Sequence, residues 1–241
     1  ILIAVGIFAA FFMFIGRPVP VDPNAQLTIA SFTEDSAARE AGLRLTTHAG
    51  EWRGPKEVRA ALDDLRVDYD ERGGIKVDDR CATNVPGVWA AGDVTGRAQL
   101  AHAASRMAEV VVNNITGRED VMRYDAVPSV VYTNPEVAVV GLTKEQAEER
   151  GLKVTTGKIP MTINARYLAE HPGESGLCKV VVEKGTRRLL GVHMVGGACS
   201  EMIFGAAAML ETELREEEID EIIFPHPTTS EIMKDVFMAV R

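Results

Sequence analysis

The residues best suited to moving a proton lie near the end of the chain, in Phe224-Pro225-His226-Pro227-Thr228-Thr229-Ser230-Glu231. A histidine bracketed by prolines cannot sit inside a helix, because proline lacks an N–H and restricts the residue before it. His226 is therefore expected on a stiff, extended loop. Thr228, with Glu231 three places on, has the form of a helix-opening capping box. Ile232, Val236, Phe237 and Val240 then fall on one face of the helix that follows. Two readings fit His226. One is a loop imidazole packed against its neighbours. The other is an acid–base group oriented by Glu231, since an imidazole titrating near neutrality needs a partner to fix its tautomer.

A second candidate is Ala90-Ala91-Gly92-Asp93, which puts a carboxylate just past the end of a short apolar strand. Open sheets bind ligands at that end of their strands, and a carboxylate there can accept hydrogen bonds from sugar-type hydroxyls. The plainer reading is an aspartate in a Gly-Asp turn. A helix beginning near Leu100 would present its N-terminal N–H groups and dipole to whatever lies beside it. His102 falls in its first turn, either as a packed helix residue or as a neighbour of a ligand.

Other reactive constellations are missing from the sequence. Cys81, Cys178 and Cys199 are far apart, form no CxxC or CxxxxC pair, and have no zinc-type spacing with the five histidines. No GxGxxG loop and no His-Glu-x-x-His motif occurs, so no metal site is expected. Cys178 and Cys199 fall on an expected core strand and a helix start, where a free cysteine behaves as a small apolar residue. With 46% hydrophobic and 25% charged residues in 241, the chain can build a globular core as one large domain or two small ones. A formal charge of −9 and a pI near 5.1 supply no basic footprint for nucleic acid. The scattered, odd cysteines fit a reduced, cytoplasmic setting.

These candidates need elements to position them. Ile1–Gly16 carries no charge, and as a helix would reach about 24 Å, slightly short of a bilayer core. It reads as an apolar, membrane-spanning helix or as a buried strand plus helix, and the first would make the protein membrane-associated through residues 1–16. Three prolines between Arg17 and Asp22–Pro23 then favour an extended linker. Gln26–Phe32 alternates like a strand, Asp35–Gly42 reads as a short capped helix, and Pro55–Leu65 as another. Asp70–Asp78 reads as a turn and strand, Thr83–Asp93 as a turn and buried strand. Leu100–Gly117 reads as a helix with Leu100, Ala103, Met107, Val110, Val111 and Ile115 on one face. Strands are expected near 127–132, 137–141, 153–161, 177–183 and 189–195, the last two joined by a hairpin-like turn at 184–187. Helices follow Thr143, span about 200–213, and run near 216–223. Strands first and helices last describe an α+β arrangement around an antiparallel sheet.

From about Val67 to Arg241 the chain resembles the C-terminal part of the dihydrolipoamide dehydrogenases, in the pyridine-nucleotide disulfide oxidoreductase family. The resemblance rests on TNVPGVWAAGDV, LAHAAS, VVYTNPEVAVVGLT, ARYLAE, LLGVHMVGG and FPHPTTSE, in the family's order. It implies a remnant of an FAD-binding α/β region over residues 67–123 and an antiparallel-sheet dimerisation domain over residues 124–241. It implies that Gly92 and Asp93 hold the ribityl chain of FAD, with Leu100, Ala101 and His102 beside the flavin. It implies that His226 reaches the other subunit's active site, exchanges a proton with a thiol beside a redox disulfide, and is oriented by Glu231. A homodimer is implied, supported by the Met- and Ala-rich stretch Met202–Leu210 as a buried face. A dihydrolipoamide-bearing protein as partner and NAD as second cofactor are also implied. The redox cysteines and Gly-rich loops would have to come from a chain supplying the FAD/NAD half, so the 241 residues are expected to be inactive alone.

Residues 1–65 instead resemble a site-2-type intramembrane metalloprotease fragment. The matching words are Gly16-Arg17-Pro18-Val19 and Ser36–Leu43, which imply an apolar segment and linker over 1–22 and a partial PDZ-like segment over 23–66. Ile1–Gly6 also matches the strand that ends a pyridine-nucleotide domain. A fusion, a fragment and a chimeric reading frame all fit this change of character near residue 66. The alternative to the enzyme reading is a membrane-tethered, non-catalytic interaction module.

Overall fold

The computed structural model describes residues 2–4, 63, 66–71 and 74–240. The chain divides into two compact units, Ile1–Met122 and Arg123–Arg241. The expected apolar helix 1–16, its linker and the PDZ-like segment 23–66 lie outside the described residues, apart from residues 2–4, 63 and 66. Among these, Leu2–Ala4 forms a strand, β1, rather than the start of a helix. A short apolar run fits a buried strand and a buried helix equally well by pattern. Here the pairing partner decides it. β1 lies parallel to β2, Trp89–Ala91, with Ile3 opposite Ala90. Among the described residues no helix is long and apolar enough to cross a membrane.

In the first unit, Val67, Ile75, Val88 and Ala90 form a small buried cluster. The expected turn near residue 70 closes where the N–H of Gly74 donates to Asp70 Oδ1 at 2.9 Å. A single antiparallel bridge pairs Tyr69 with Ile75. After β2 the chain makes a short 3₁₀ turn, Asp93–Thr95, and enters α1, Ala101–Ile115. Ala103, Met107, Val110 and Val111 face inward as the spacing requires. Leu100 serves as the N-terminal flanking residue instead, and Ile115 is exposed. Gly117, at φ 84°, lets the chain turn out of the helix in a conformation costly for other residues. Arg106 then clamps Asp120 with two bonds of 2.8 and 2.6 Å, and Asn113 adds a third at 2.7 Å. The guanidinium holds the Asp120 carboxyl well below the usual carboxylate range.

The second unit is built on five antiparallel strands: β3 Ser129–Val131, β4 Val137–Gly141, β5 Val154–Pro160, β6 Leu177–Glu183 and β7 Leu189–Val195. Their order across the sheet is β3-β4-β7-β6-β5. Alternation sorts the side chains. Ala138, Val140, Cys178, Val180, Val182, Val192 and Met194 line the core face. Two helices cover that face: α4, Cys199–Glu211, lies on β4 and β7, and α6, Ile232–Met238, lies on β5 and β6. The opposite face is covered at one end by α2, Lys144–Glu149, whose Ala147 packs with Leu142, Val154, Val181 and Leu190. Thr143 and Gln146 make both bonds of the expected capping box of α2. Two further short helices, α3 Ala165–Glu170 and α5 Glu216–Glu221, complete the unit.

Met202, Ile203, Ala206, Met209 and Leu210 of the Met- and Ala-rich stretch are buried, and they pack in the unit's own core. Phe204, 76% exposed, is the large apolar residue that α4 turns outward.

Candidate active site

The loop from Ile222 to Thr228 leaves α5 and enters a single 3₁₀ turn, Thr229–Glu231, that runs directly into α6. The prolines hold this loop out of helix, and Ile232, Val236 and Phe237, all buried, anchor the helix that follows. His226 Nδ1 lies 3.0 Å from Glu231 Oε1. The second carboxylate oxygen accepts the N–H of Thr228 at 2.9 Å, the acid arm of the expected capping box. The Thr228 hydroxyl donates to the Pro225 carbonyl at 2.7 Å, folding the loop back on itself.

Glu231 is held below its ordinary carboxylate range, first by the N–H of Thr228 and then by His226. An ionised carboxylate only accepts hydrogen bonds, so Nδ1 of His226 carries the proton. That leaves Nε2 of the neutral ring as a base. The His226 side chain is 79% exposed and Glu231 26%, so the ring is oriented from behind and open in front. The structure thus brings the two expected catalytic residues together.

Two residues of this site were not among the expected ones. Asn164, only 6% exposed, sits in the turn between β5 and α3. Its Oδ1 accepts the N–H of Tyr167 at 2.9 Å, and its Nδ2 donates to the Thr228 carbonyl at 3.0 Å. Tyr167 is buried; its hydroxyl donates to Glu174 Oε1 at 2.6 Å, and its ring lies 5.0 Å from that of His171. Burial pushes the Tyr167 phenol upward, with Glu174 adding to the effect. Asn immediately before Ala-Arg-Tyr-Leu-Ala-Glu is a helix-start signal, so the cap was findable from sequence. Its reach to a residue 64 positions away was not.

The expected cofactor residues lie in the first unit. Gly92 is buried at φ 85°, a conformation that glycine alone adopts without strain. Its carbonyl accepts the Thr95 hydroxyl at 2.8 Å, and its N–H points to the Met107 sulfur at 3.4 Å. Asp93 is half-buried, and its carboxylate makes no hydrogen bond or ion pair among the described residues. Leu100 precedes α1 in extended conformation and, being apolar, caps none of its N–H groups. Ala101 and His102 are exposed in the first turn. A carboxylate with no hydrogen-bond partner among the described residues suits a ligand carrying hydroxyls, and the uncapped first turn of the fifteen-residue α1 suits negative charge.

All three cysteines are buried, and no disulfide joins them among the described residues. Burial pushes the thiols of Cys178 and Cys199 up to about 12, so neither forms the reactive thiolate near neutrality. Among the described residues no group of side chains could hold a metal ion.

The family description "pyridine nucleotide-disulphide oxidoreductase, dimerisation domain" matches residues 127–237, and "pyridine nucleotide-disulphide oxidoreductase" matches residues 49–108. Together they take in well over half of the chain. The chain belongs to the pyridine nucleotide-disulphide oxidoreductases. The match beginning at residue 49 carries the family reading back into the stretch read as PDZ-like. Leghemoglobin reductase from Glycine max is 43% identical over 178 residues, 74% of this chain and 34% of that protein. Mitochondrial dihydrolipoyl dehydrogenase from Pisum sativum is 42% identical, over 74% of this chain and 35% of its own. Dihydrolipoyl dehydrogenase 3 from Haloarcula marismortui is 31% identical over 90% of this chain and 46% of its own. The chain thus spans a third to a half of the length of these relatives. The HOCl-induced flavoprotein disulfide reductase RclA from Escherichia coli superposes with a TM-score of 0.63 at 28% identity, covering 75% of this chain and 42% of that one. LpdA from Mycobacterium tuberculosis, at 21% identity, shares the fold with a TM-score of 0.69 over 83% of this chain and 50% of its own.

Proposed function

We propose that this chain supplies the proton-handling and subunit-contact portion of an FAD-dependent, dihydrolipoamide dehydrogenase-like disulfide oxidoreductase. The observation that carries the reading is the His226–Glu231 pair, 3.0 Å apart, on a loop that leaves Nε2 open. In this reading residues 67–123 belong to the FAD-binding region and 124–241 to the dimerisation domain.

His226 takes a proton from a substrate thiol through Nε2, producing the thiolate that is the reactive form. Glu231 stabilises the imidazolium so formed and keeps the ring turned toward the thiol. The proton is returned or released to solvent from the same atom. Overall, dihydrolipoamide loses two electrons and two protons to become the cyclic disulfide, while NAD⁺ takes up a hydride and one proton is released. FAD, when bound, supplies the two-electron relay between dithiol and nicotinamide. Asp93, after the buried turn at Gly92, would accept hydrogen bonds from its hydroxyls, and the first turn of α1 at Leu100, Ala101 and His102 would lie along it. The redox disulfide and the NAD site come from outside these 241 residues, and the chain is inactive alone.

The partners proposed are a second copy of the chain, a chain or segment supplying the FAD/NAD half, and a dihydrolipoamide-bearing protein. The exposure of His226 supports a role in the active site of another subunit. Three buried cysteines, none of them in a disulfide among the described residues, support a reducing, cytoplasmic setting.

The test uses the chain alone and a fusion of residues 67–241 to the N-terminal part of the Pisum sativum enzyme. The chain alone should show neither yellow flavin absorbance nor NADH production from dihydrolipoamide. The fusion should show both. A fusion that folds and holds flavin but leaves dihydrolipoamide unoxidised would overturn the proposal.

A further inference from the structure

We infer that Asn164 is a positioning residue for His226, acting through the peptide group of Thr228. The inference rests on the proton-transfer reading of His226 and Glu231. The Thr228 peptide is gripped from both sides: its N–H by Glu231 at 2.9 Å and its C=O by Asn164 Nδ2 at 3.0 Å. Glu231 in turn holds His226 Nδ1 at 3.0 Å. Asn164 is itself immobilised, because its Oδ1 accepts the N–H of Tyr167, in the first turn of α3. Tyr167 is fully buried and tied through its hydroxyl to Glu174.

The bonds therefore form one line from a buried corner of the sheet to an exposed imidazole. The role of Asn164 in that line follows from burial. Glu231 and His226 belong to one short segment, and their bonds alone fix the ring relative to that segment. They do not fix the segment relative to the sheet. Among the hydrogen bonds in the line, the one from Asn164 crosses 64 positions, while those at Thr228 and His226 span three and five. A side-chain amide at 6% exposure that lost its carbonyl partner would leave a buried donor unsatisfied, so the bond is costly to break. Asn164 thus pins the Thr228 peptide plane, the plane sets where Glu231 must reach back, and Glu231 selects the ring tautomer.

The test reads the tautomer directly, by ¹⁵N chemical shifts of the His226 ring in the 241-residue chain at a pH where the imidazole is neutral. Three chains are compared: unaltered, E231Q and N164S. Serine still caps α3 but is too short to reach Thr228. N164D, which keeps the Oδ1 cap and loses the donor, is read the same way should N164S fail to fold. The unaltered chain is expected to hold the proton on Nδ1. Both E231Q and the Asn164 variant should move the ratio toward the Nε2–H form by roughly fivefold, the loss of about one ordinary hydrogen bond. Exchange of the Thr228 amide should quicken by a similar factor in the Asn164 variant. An Asn164 variant that keeps the Nδ1–H form while E231Q loses it would overturn the inference alone. E231Q leaving the tautomer unmoved would overturn the underlying reading of the pair.

Discussion

At the His226 loop the imidazole, the carboxylate and the intervening peptide are bonded to one another within one unit, whereas at the junction of β2 and α1 the Asp93 carboxylate has no such bond among the described residues. Glu231 uses both oxygens, on His226 and on Thr228. Asp93 uses neither among the described residues, and the helix that follows it in the chain starts on an apolar residue that makes no side-chain cap. Under the proposed function the two regions show different kinds of preparedness. A base must be oriented before its substrate arrives, so its partners belong to the protein. A cofactor cradle must keep its hydrogen-bonding capacity for the cofactor, and a carboxylate already satisfied by protein would have little left to offer.

The largest way to break this contrast is to remove the platform under the pair. Phe237 is 1% exposed on α6, the helix that Glu231 enters. Phe237→Ala should cost about 3–5 kcal/mol of second-unit stability in a denaturant titration. It should also erase the Nδ1–Glu231 bond as that unit opens. A loss under about 1 kcal/mol would mean the pair stands on something other than this core.

The equivalent cut in the first unit falls at Asp120. Its carboxylate holds Arg106 and Asn113, but the Arg106 side chain is 43% exposed, so the full cost of a buried pair does not apply. Asp120→Ala should lower first-unit stability by about 2 kcal/mol, followed by amide exchange along α1. Unchanged exchange there would show that the C-terminal end of α1 is held by packing alone.

Acid separates the two regions without mutation. Glu231 has a lowered folded-state pKa, so its bonds contribute stability that is fully present above the ordinary value of 4.5 and is lost as pH falls through the lowered one. Protection of the Thr228 amide should therefore survive titration to pH 4.5 and decline only below it. A decline centred above 4.5 would contradict the sign of the shift. The smallest effect is expected at Asp93. With no partner to lose among the described residues, Asp93→Asn should change stability by no more than about 0.5 kcal/mol. A larger destabilisation would mean Asp93 holds the fold rather than waiting for a ligand.

What the sequence disclosed about these regions follows from range. His226, Thr228 and Glu231 lie within six residues, so proline chemistry and capping rules suffice to place them side by side. The five strands of the second unit were readable for the same reason, as alternation is local. The Asn164 bond was hidden because its partner is set by how the sheet and α6 pack, not by neighbouring residues. The Met- and Ala-rich face of α4 was seen as buried, but periodicity does not say whether a helix is covered by its own sheet or by another chain. The run at residues 2–4 carried the same ambiguity between strand and helix until its pairing with β2 settled it.

The most direct test of the central claim is turnover of dihydrolipoamide by the fusion enzyme carrying His226→Gln, compared with the unaltered fusion at equal flavin content. If His226 is the group that takes the substrate's proton, turnover should fall by roughly 10²–10⁴-fold while flavin absorbance and dimerisation stay unchanged. Turnover within a few-fold of the unaltered fusion would contradict the claim, and would leave the pair with Glu231 as a structural lock on the loop.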